Sequence, residues 1–158
     1  MFINCSSLIS IDLSNFNTPK MEYIGSIFYN CSSLTYININ NLNTSNTKYM
    51  DRMFYGCKSL TEINISNFKT SSVFAMHYMF AECKKLSSIN LSNFDTSKVT
   101  DMSFLFYGCA ELNSININNL TTSSLTNMNA MFCNCHSLFS LDLTNINTNG
   151  FIYELYFL

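Results

Sequence analysis

Short stretches in which polar and apolar residues alternate return along the chain at one interval. In residues 88–92, Ser88, Asn90 and Ser92 are polar, and Ile89 and Leu91 between them are apolar. A period of two is the mark of a half-buried strand, so Ile89 and Leu91 are expected to turn inward and their polar neighbours outward. The same pentad recurs every 26 residues, which predicts strands centred near Ile11, Ile37, Ile63, Ile89, Ile115 and Leu141. Copies spaced identically pair in parallel and in register, about 4.8 Å apart, and give one sheet without β-hairpins. After each strand the spacing changes. Val99, Met102, Leu105 and Phe106 fall three or four apart. That predicts one or two turns of 3₁₀ or α-helix on the return path, with Thr96 and Ser97 suited to its N-cap.

Whole columns repeat with the strands. Phe stands at 2, 28, 54, 80, 106 and 132, and Leu at 8, 34, 60, 86, 112 and 138. Six cysteines, Cys5, Cys31, Cys57, Cys83, Cys109 and Cys135, share the grid, and Cys133 alone stands off it. Asn15, Asn41, Asn67, Asn93, Asn119 and Asn145 form a further column, as do Thr18, Thr44, Thr70, Thr96, Thr122 and Thr148. A period between 20 and 50 residues signals a solenoid. The expected fold is an α/β-type solenoid, and the whole of 1–158 is expected to be one domain. Its six repeats are 1–26, 27–52, 53–78, 79–104, 105–130 and 131–156. Each repeat offers seven or eight apolar side chains to a core it cannot close alone, so stacking is the dominant stabilising term.

The spacing Leu86-x-x-Ile89-x-Leu91 is the L-x-x-L-x-L core of leucine-rich repeats. It is preceded by Phe80-x-x-Cys83-x-x-Leu86 and followed by Leu91-Ser92-Asn93-Phe94-Asp95-Thr96-Ser97-Lys98-Val99-Thr100-Asp101-Met102. Together these resemble the BspA-like leucine-rich-repeat surface proteins of bacteria and protists, over essentially the whole chain. In common leucine-rich repeats the Asn follows the first Leu by eight residues, whereas Asn93 follows Leu86 by seven and Phe94 takes the usual Asn place. The last copy departs further, with Asn149-Gly150 where Ser97-Lys98 stand and Glu154 in the column of Met50, Met76, Met102 and Met128. The resemblance implies display at a cell surface and contact with host or partner macromolecules. No leader or anchor is visible in the segment and neither end shows a polar cap, so a longer parent chain is expected.

Composition narrows the partners. The net charge is −2 and only 11% of residues are charged, which disfavours nucleic acid and anionic membrane surfaces, both of which need clustered Lys and Arg. No run of about 18 apolar residues exists, so no membrane insertion is expected in this segment.

The cysteine column admits two readings: disulfides or a metal array on one side, and a ladder of small buried thiols on the other. Stacked coils bring Cα atoms within disulfide reach, but parallel Cβ vectors suit a bridge poorly, which favours the reduced ladder. Cys133-x-Cys135-His136 has one intervening residue and no second half, unlike a zinc site, so no metal or cofactor is expected. His77 and His136 have no acid fixed beside them, and no catalytic set can be assembled. The Asn and Thr columns lie where the chain leaves the strand and read as structural, satisfying backbone groups of neighbouring coils.

The outward strand column, Asp12, Asn38, Asn64, Asn90, Asn116 and Asp142, faces solvent on the sheet side. It is either an extended binding surface or a solvated amide ladder. Tyr36 and Glu62 are the large polar intruders on the same face, and the candidate ligand-binding set is Tyr36, Asn38, Glu62, Asn64, Asn90 and Asn116. The functional expectation is a non-enzymatic surface module that binds a protein or glycan partner. An intracellular interaction scaffold is the alternative.

Overall fold

The computed structural model describes residues 1–16, 18–144 and 146. The expectations placed on Asn145, Thr148, residues 149–150 and Glu154 lie outside them.

Across the described residues each 26-residue repeat from the first to the fifth makes one coil, and its alternating pentad runs along one side. Four three-residue strands form there: β1 (Ser10–Asp12), β2 (Tyr36–Asn38), β3 (Ser88–Asn90) and β4 (Ser114–Asn116). β1 pairs with β2 and β3 with β4, both in parallel. Ile11 lies opposite Ile37 and Ile89 opposite Ile115, each residue meeting its counterpart in the next repeat. The register is thus the expected one, but the sheet is not continuous. Among the described residues, the segments around Ile63 and Leu141 form no strand. The interruption at Ile63 falls where Tyr36 and Glu62, the two bulkiest side chains of a column otherwise made of Ser, stand on adjacent coils. The segment around Leu141 belongs to the last coil, and Phe139 beside it is 91% exposed.

The return path departs from expectation more deeply. None of the described residues is helical. Instead the N–H groups of Met76, Tyr78, Phe80 and Glu82 donate to the carbonyls of Asp101, Ser103, Leu105 and Tyr107 on the next coil, at 3.1, 3.0, 3.0 and 2.7 Å. Parallel bridges link Tyr23, Tyr49, Ala75, Asp101 and Asn127 from coil to coil. The intervening N–H groups close tight turns, Met79 to Met76, Ala81 to Tyr78 and Cys83 to Phe80. Spacing explains the outcome. The phenylalanine rings of successive coils stack 5.5–5.6 Å apart, about half the 10–12 Å width of a helix with its side chains. Two turns in the left-handed region let the backbone double back at this pitch. One column comprises Asn4, Asn30, Gly56, Glu82, Gly108 and Asn134, and the other Ser26, Arg52, Tyr78, Phe104 and Ala130, with φ between 50° and 71°.

Thr96 is therefore no helix cap. Its hydroxyl donates to the Thr121 carbonyl at 2.8 Å and accepts the Thr121 N–H at 2.7 Å. Thr44 and Thr70 do the same to Lys69 and Asp95. The asparagines reach the other way: Asn93 Nδ2 donates to Ile65, Ser66 and Phe68 on the preceding coil at 3.3, 3.0 and 3.4 Å. Asn41, Asn67 and Asn119 likewise bond backward. The coil boundary is thus sewn forward by Thr and backward by Asn, as buried backbone groups require.

A continuous apolar core runs from Leu13 to Cys135, with Phe28, Phe54, Phe80 and Phe106 fully buried at its centre. Beside the rings, each thiol of Cys31, Cys57, Cys83, Cys109 and Cys135 donates to a Phe carbonyl one coil back, at 3.0–3.3 Å. All seven cysteines are free. Cys5 breaks the expected pattern of burial. It sits on the first of the described coils and is exposed.

Candidate binding groove

On the strand side, coils two to five enclose an open groove of about 680 Å³. Its floor is Ile37, Ile63 and Ile89. Tyr36, Asn38, Glu62, Asn64, Asn90 and Asn116 all line it, so the six candidate residues are brought together on one surface. Thr35, Asn40, Ser88 and Ser114 complete the walls. Sequence reasoning did not single these four out, although the alternation that makes Asn90 outward makes Ser88 outward too. Asp12 and Asp142 occupy the same outward column as the asparagines but do not line the groove.

The outward column also has a structural task that its polar character alone did not disclose. Each member accepts the N–H two residues on. Asp12 Oδ1 takes that of Ser14 at 2.7 Å, Asn64 Oδ1 that of Ser66 at 3.1 Å, and Asn90 Oδ1 that of Ser92 at 2.9 Å. Asn38, Asn116 and Asp142 do likewise. These are Asx turns, and those at Asp12, Asn38, Asn90 and Asn116 end the four strands. The Ser14 N–H and hydroxyl hold the Asp12 carboxyl below its ordinary value, and Thr144 does the same for Asp142. Glu62 is the one charged residue of the lining, and Tyr36, 57% exposed, is its one aromatic.

The return side carries a different cluster. Arg52 donates to His77 Nε2 at 3.2 Å and lies over the Tyr78 ring, with its carbon 5.2 Å from the centroid. His77 Nδ1 is 3.8 Å from Asp101 Oδ2. Tyr78 stacks on Phe104 at 4.5 Å and Tyr29 on Tyr55 at 4.9 Å. Among the described residues no Ser or Cys side chain bonds to His77, so the cluster has an acid and an imidazole but no nucleophile in place. No group of three His, Cys, Asp or Glu among them could hold a metal ion. Cys133 is half-buried, and Cys135 is committed to the Phe106 carbonyl. Burial drives the core thiols up, Cys57 to about 12 and Cys135 to about 11, so the ladder is inert at neutral pH. No helix of the described residues is long and apolar enough to cross a membrane.

Solved structures of similar shape are leucine-rich-repeat proteins. One from Bacteroides ovatus shares 21% identity with a TM-score of 0.59, over 85% of this chain and 31% of that one. One from T. pallidum shares 19% identity with a TM-score of 0.49, over 87% of this chain and 68% of that one. The chain thus spans about a third of the Bacteroides ovatus protein, and the likeness to that protein alone establishes the leucine-rich-repeat fold. No curated protein matches the sequence. A family model described as "Mycoplasma protein of unknown function, DUF285" matches residues 1–90 and again 61–152.

Proposed function

The chain belongs to the DUF285 family of Mycoplasma proteins of unknown function, and from that footing we propose that it is a non-enzymatic binding module whose working face is the strand-side groove. One observation carries the reading: six residues from four coils converge on a single groove of about 680 Å³ whose walls are polar and nearly uncharged. An open surface built from successive coils suits an extended macromolecule better than a small substrate, which needs enclosure and convergent polar groups. We take 1–158 as one solenoid unit and place it at a cell surface, the latter on the strength of its resemblance to BspA-like surface proteins. The intracellular scaffold stays as the second reading because all seven thiols are free, as a reducing compartment would keep them.

The test is a paired substitution. Tyr36→Ala with Glu62→Ala should abolish capture of the natural partner while leaving the melting temperature nearly unchanged. Binding that survives this pair but is lost on replacing Tyr49, Tyr55 and Tyr78 would move the working face to the return side. Protease accessibility of the protein on intact cells separates surface display from an internal location.

A further inference from the structure

We propose that the ligand of this groove is an uncharged glycan rich in acetamido groups, lying along the solenoid axis. The proposal rests on the binding-module reading and names its ligand class. It begins with the orientation of the groove asparagines. The Asx turns consume Oδ1 of Asn38, Asn64, Asn90 and Asn116, through the N–H groups of Asn40, Ser66, Ser92 and Asn118 at 3.3, 3.1, 2.9 and 3.3 Å. Asn64 Oδ1 also accepts the Ser66 hydroxyl at 2.7 Å. An amide whose oxygen is held by its own turn presents its NH₂ outward. Asn38 also helps to lower the Asp12 pKa, after the larger effect of Ser14. Among the described residues no protein acceptor takes the Nδ2 protons of Asn64, Asn90 or Asn116. The groove therefore offers a row of hydrogen-bond donors, one per coil.

The two ends of the column show that the turn itself does not demand an amide. Asp12 and Asp142 make the same Asx turn with a carboxylate, to Ser14 at 2.7 Å and Thr144 at 2.9 Å. Carboxylates stand where the groove is absent and amides where it is present. The NH₂ groups are thus dispensable for the turn and are confined to the groove.

A row of neutral donors calls for a ligand with a matching row of acceptors. Anionic polymers are disfavoured, because no Lys or Arg lines the groove. A protein contact would be anchored by several aromatic or Arg side chains, and the lining has Tyr36 alone. A pyranose chain fits better. Its extended form advances by roughly one sugar per coil spacing of about 4.8 Å. Its acetamido carbonyls accept from the amides, its hydroxyls donate to Glu62, and one sugar face packs on the exposed Tyr36 ring.

The experiment titrates the folded chain with three hexamers: N-acetylchitohexaose, cellohexaose and fully deacetylated chitosan hexamer. Saturable heat from the acetylated hexamer, at least tenfold tighter than from either of the others, is the expected result. Asn90→Asp preserves the Asx turn yet turns an outward donor into an acceptor. It should weaken that binding at least tenfold with no change in melting temperature, and Asn64→Asp should repeat the effect beside Glu62. Equal affinity for cellohexaose, or affinity untouched by Asn90→Asp, overturns the proposal. So does failure of all three hexamers to bind. If a purified protein partner then binds and is lost on Tyr36→Ala with Glu62→Ala, the glycan assignment fails alone and the binding-module reading stands.

Discussion

Thr70 and Asp95 are bonded twice across the boundary between the third and fourth coils. The Thr70 hydroxyl donates to the Asp95 carbonyl at 3.0 Å and accepts the Asp95 N–H at 2.8 Å. Thr70 is 2% exposed, so water cannot replace either bond. Thr70→Val keeps the shape and removes both, leaving backbone groups unsatisfied at a cost of about 1–3 kcal/mol. Urea denaturation should show that loss. Exposed Ser71→Ala, measured alongside, should stay within about 0.5 kcal/mol of wild type.

Asn93 and Asn90 lie on one coil with unequal duties. Asn93→Ala strips donors from three carbonyls of the preceding coil and should cost about 1–3 kcal/mol. Asn90→Ala loses only the local bond to the Ser92 N–H, worth about 0.5–1.5 kcal/mol net. Asn93→Ala should therefore give the larger fall in denaturant midpoint. Equal shifts would contradict the division of labour between the two columns.

Thiol chemistry reads burial directly. Iodoacetamide at pH 8 should modify exposed Cys5 first and half-buried Cys133 next, and reach Cys57, Cys83 and Cys109 only after denaturation. Intact mass and peptide mapping decide the order. The same thiols predict an alkaline limit to stability. Burial raises Cys57 from 9.0 to about 12, which favours the protonated form in the folded state. Its contribution is complete below pH 9.0 and is lost as pH climbs toward about 12. Denaturant midpoints should decline progressively above pH 9, and Cys57→Ser or Cys57→Ala should flatten part of that decline.

Glu82 stands in the left-handed region, at φ 60°, in a column where Gly56 and Gly108 also occur. Its partner Lys84 is 3.4 Å away and largely exposed, so the ion pair adds little. A side chain in that region costs roughly 1–2 kcal/mol that Gly avoids, partly offset by the entropy Gly loses on folding. Glu82→Gly should raise the melting temperature by a few degrees in a thermal scan, whereas Gly108→Val should lower it.

The coil period, the inward strand residues and the Phe and Cys columns were legible in the sequence because burial repeats with the same side chain each time. The return path was not. Val99, Met102 and Leu105 are buried as a helix would bury them, yet turns of the right pitch bury the same positions. What decided between the two was the distance between coils, which no single repeat encodes. The left-handed column of Ser26, Arg52, Tyr78, Phe104 and Ala130 carries no glycine to announce it. The groove residues were legible as outward-facing, since alternation alone puts them there. The lock on their amide orientation was not, because Asx turns depend on backbone geometry after the strand. The gap in the ladder at Ile63 was not legible either, because residues 62–66 alternate in the same way as the pentads that do form strands.

Bonds that point forward from Thr44, Thr70 and Thr96 and backward from Asn67, Asn93 and Asn119 give the boundaries between the second and fifth coils the same stitching. A gene built this way can gain or lose a whole unit by unequal recombination without inventing a new interface, because the severed donors and acceptors meet identical ones at the junction. An insertion of any other length would set Thr against the wrong carbonyl and Cys against the wrong Phe along every later turn. The groove would change accordingly in fixed steps, adding one amide at a time, so that the reach of the binding face could evolve by counting.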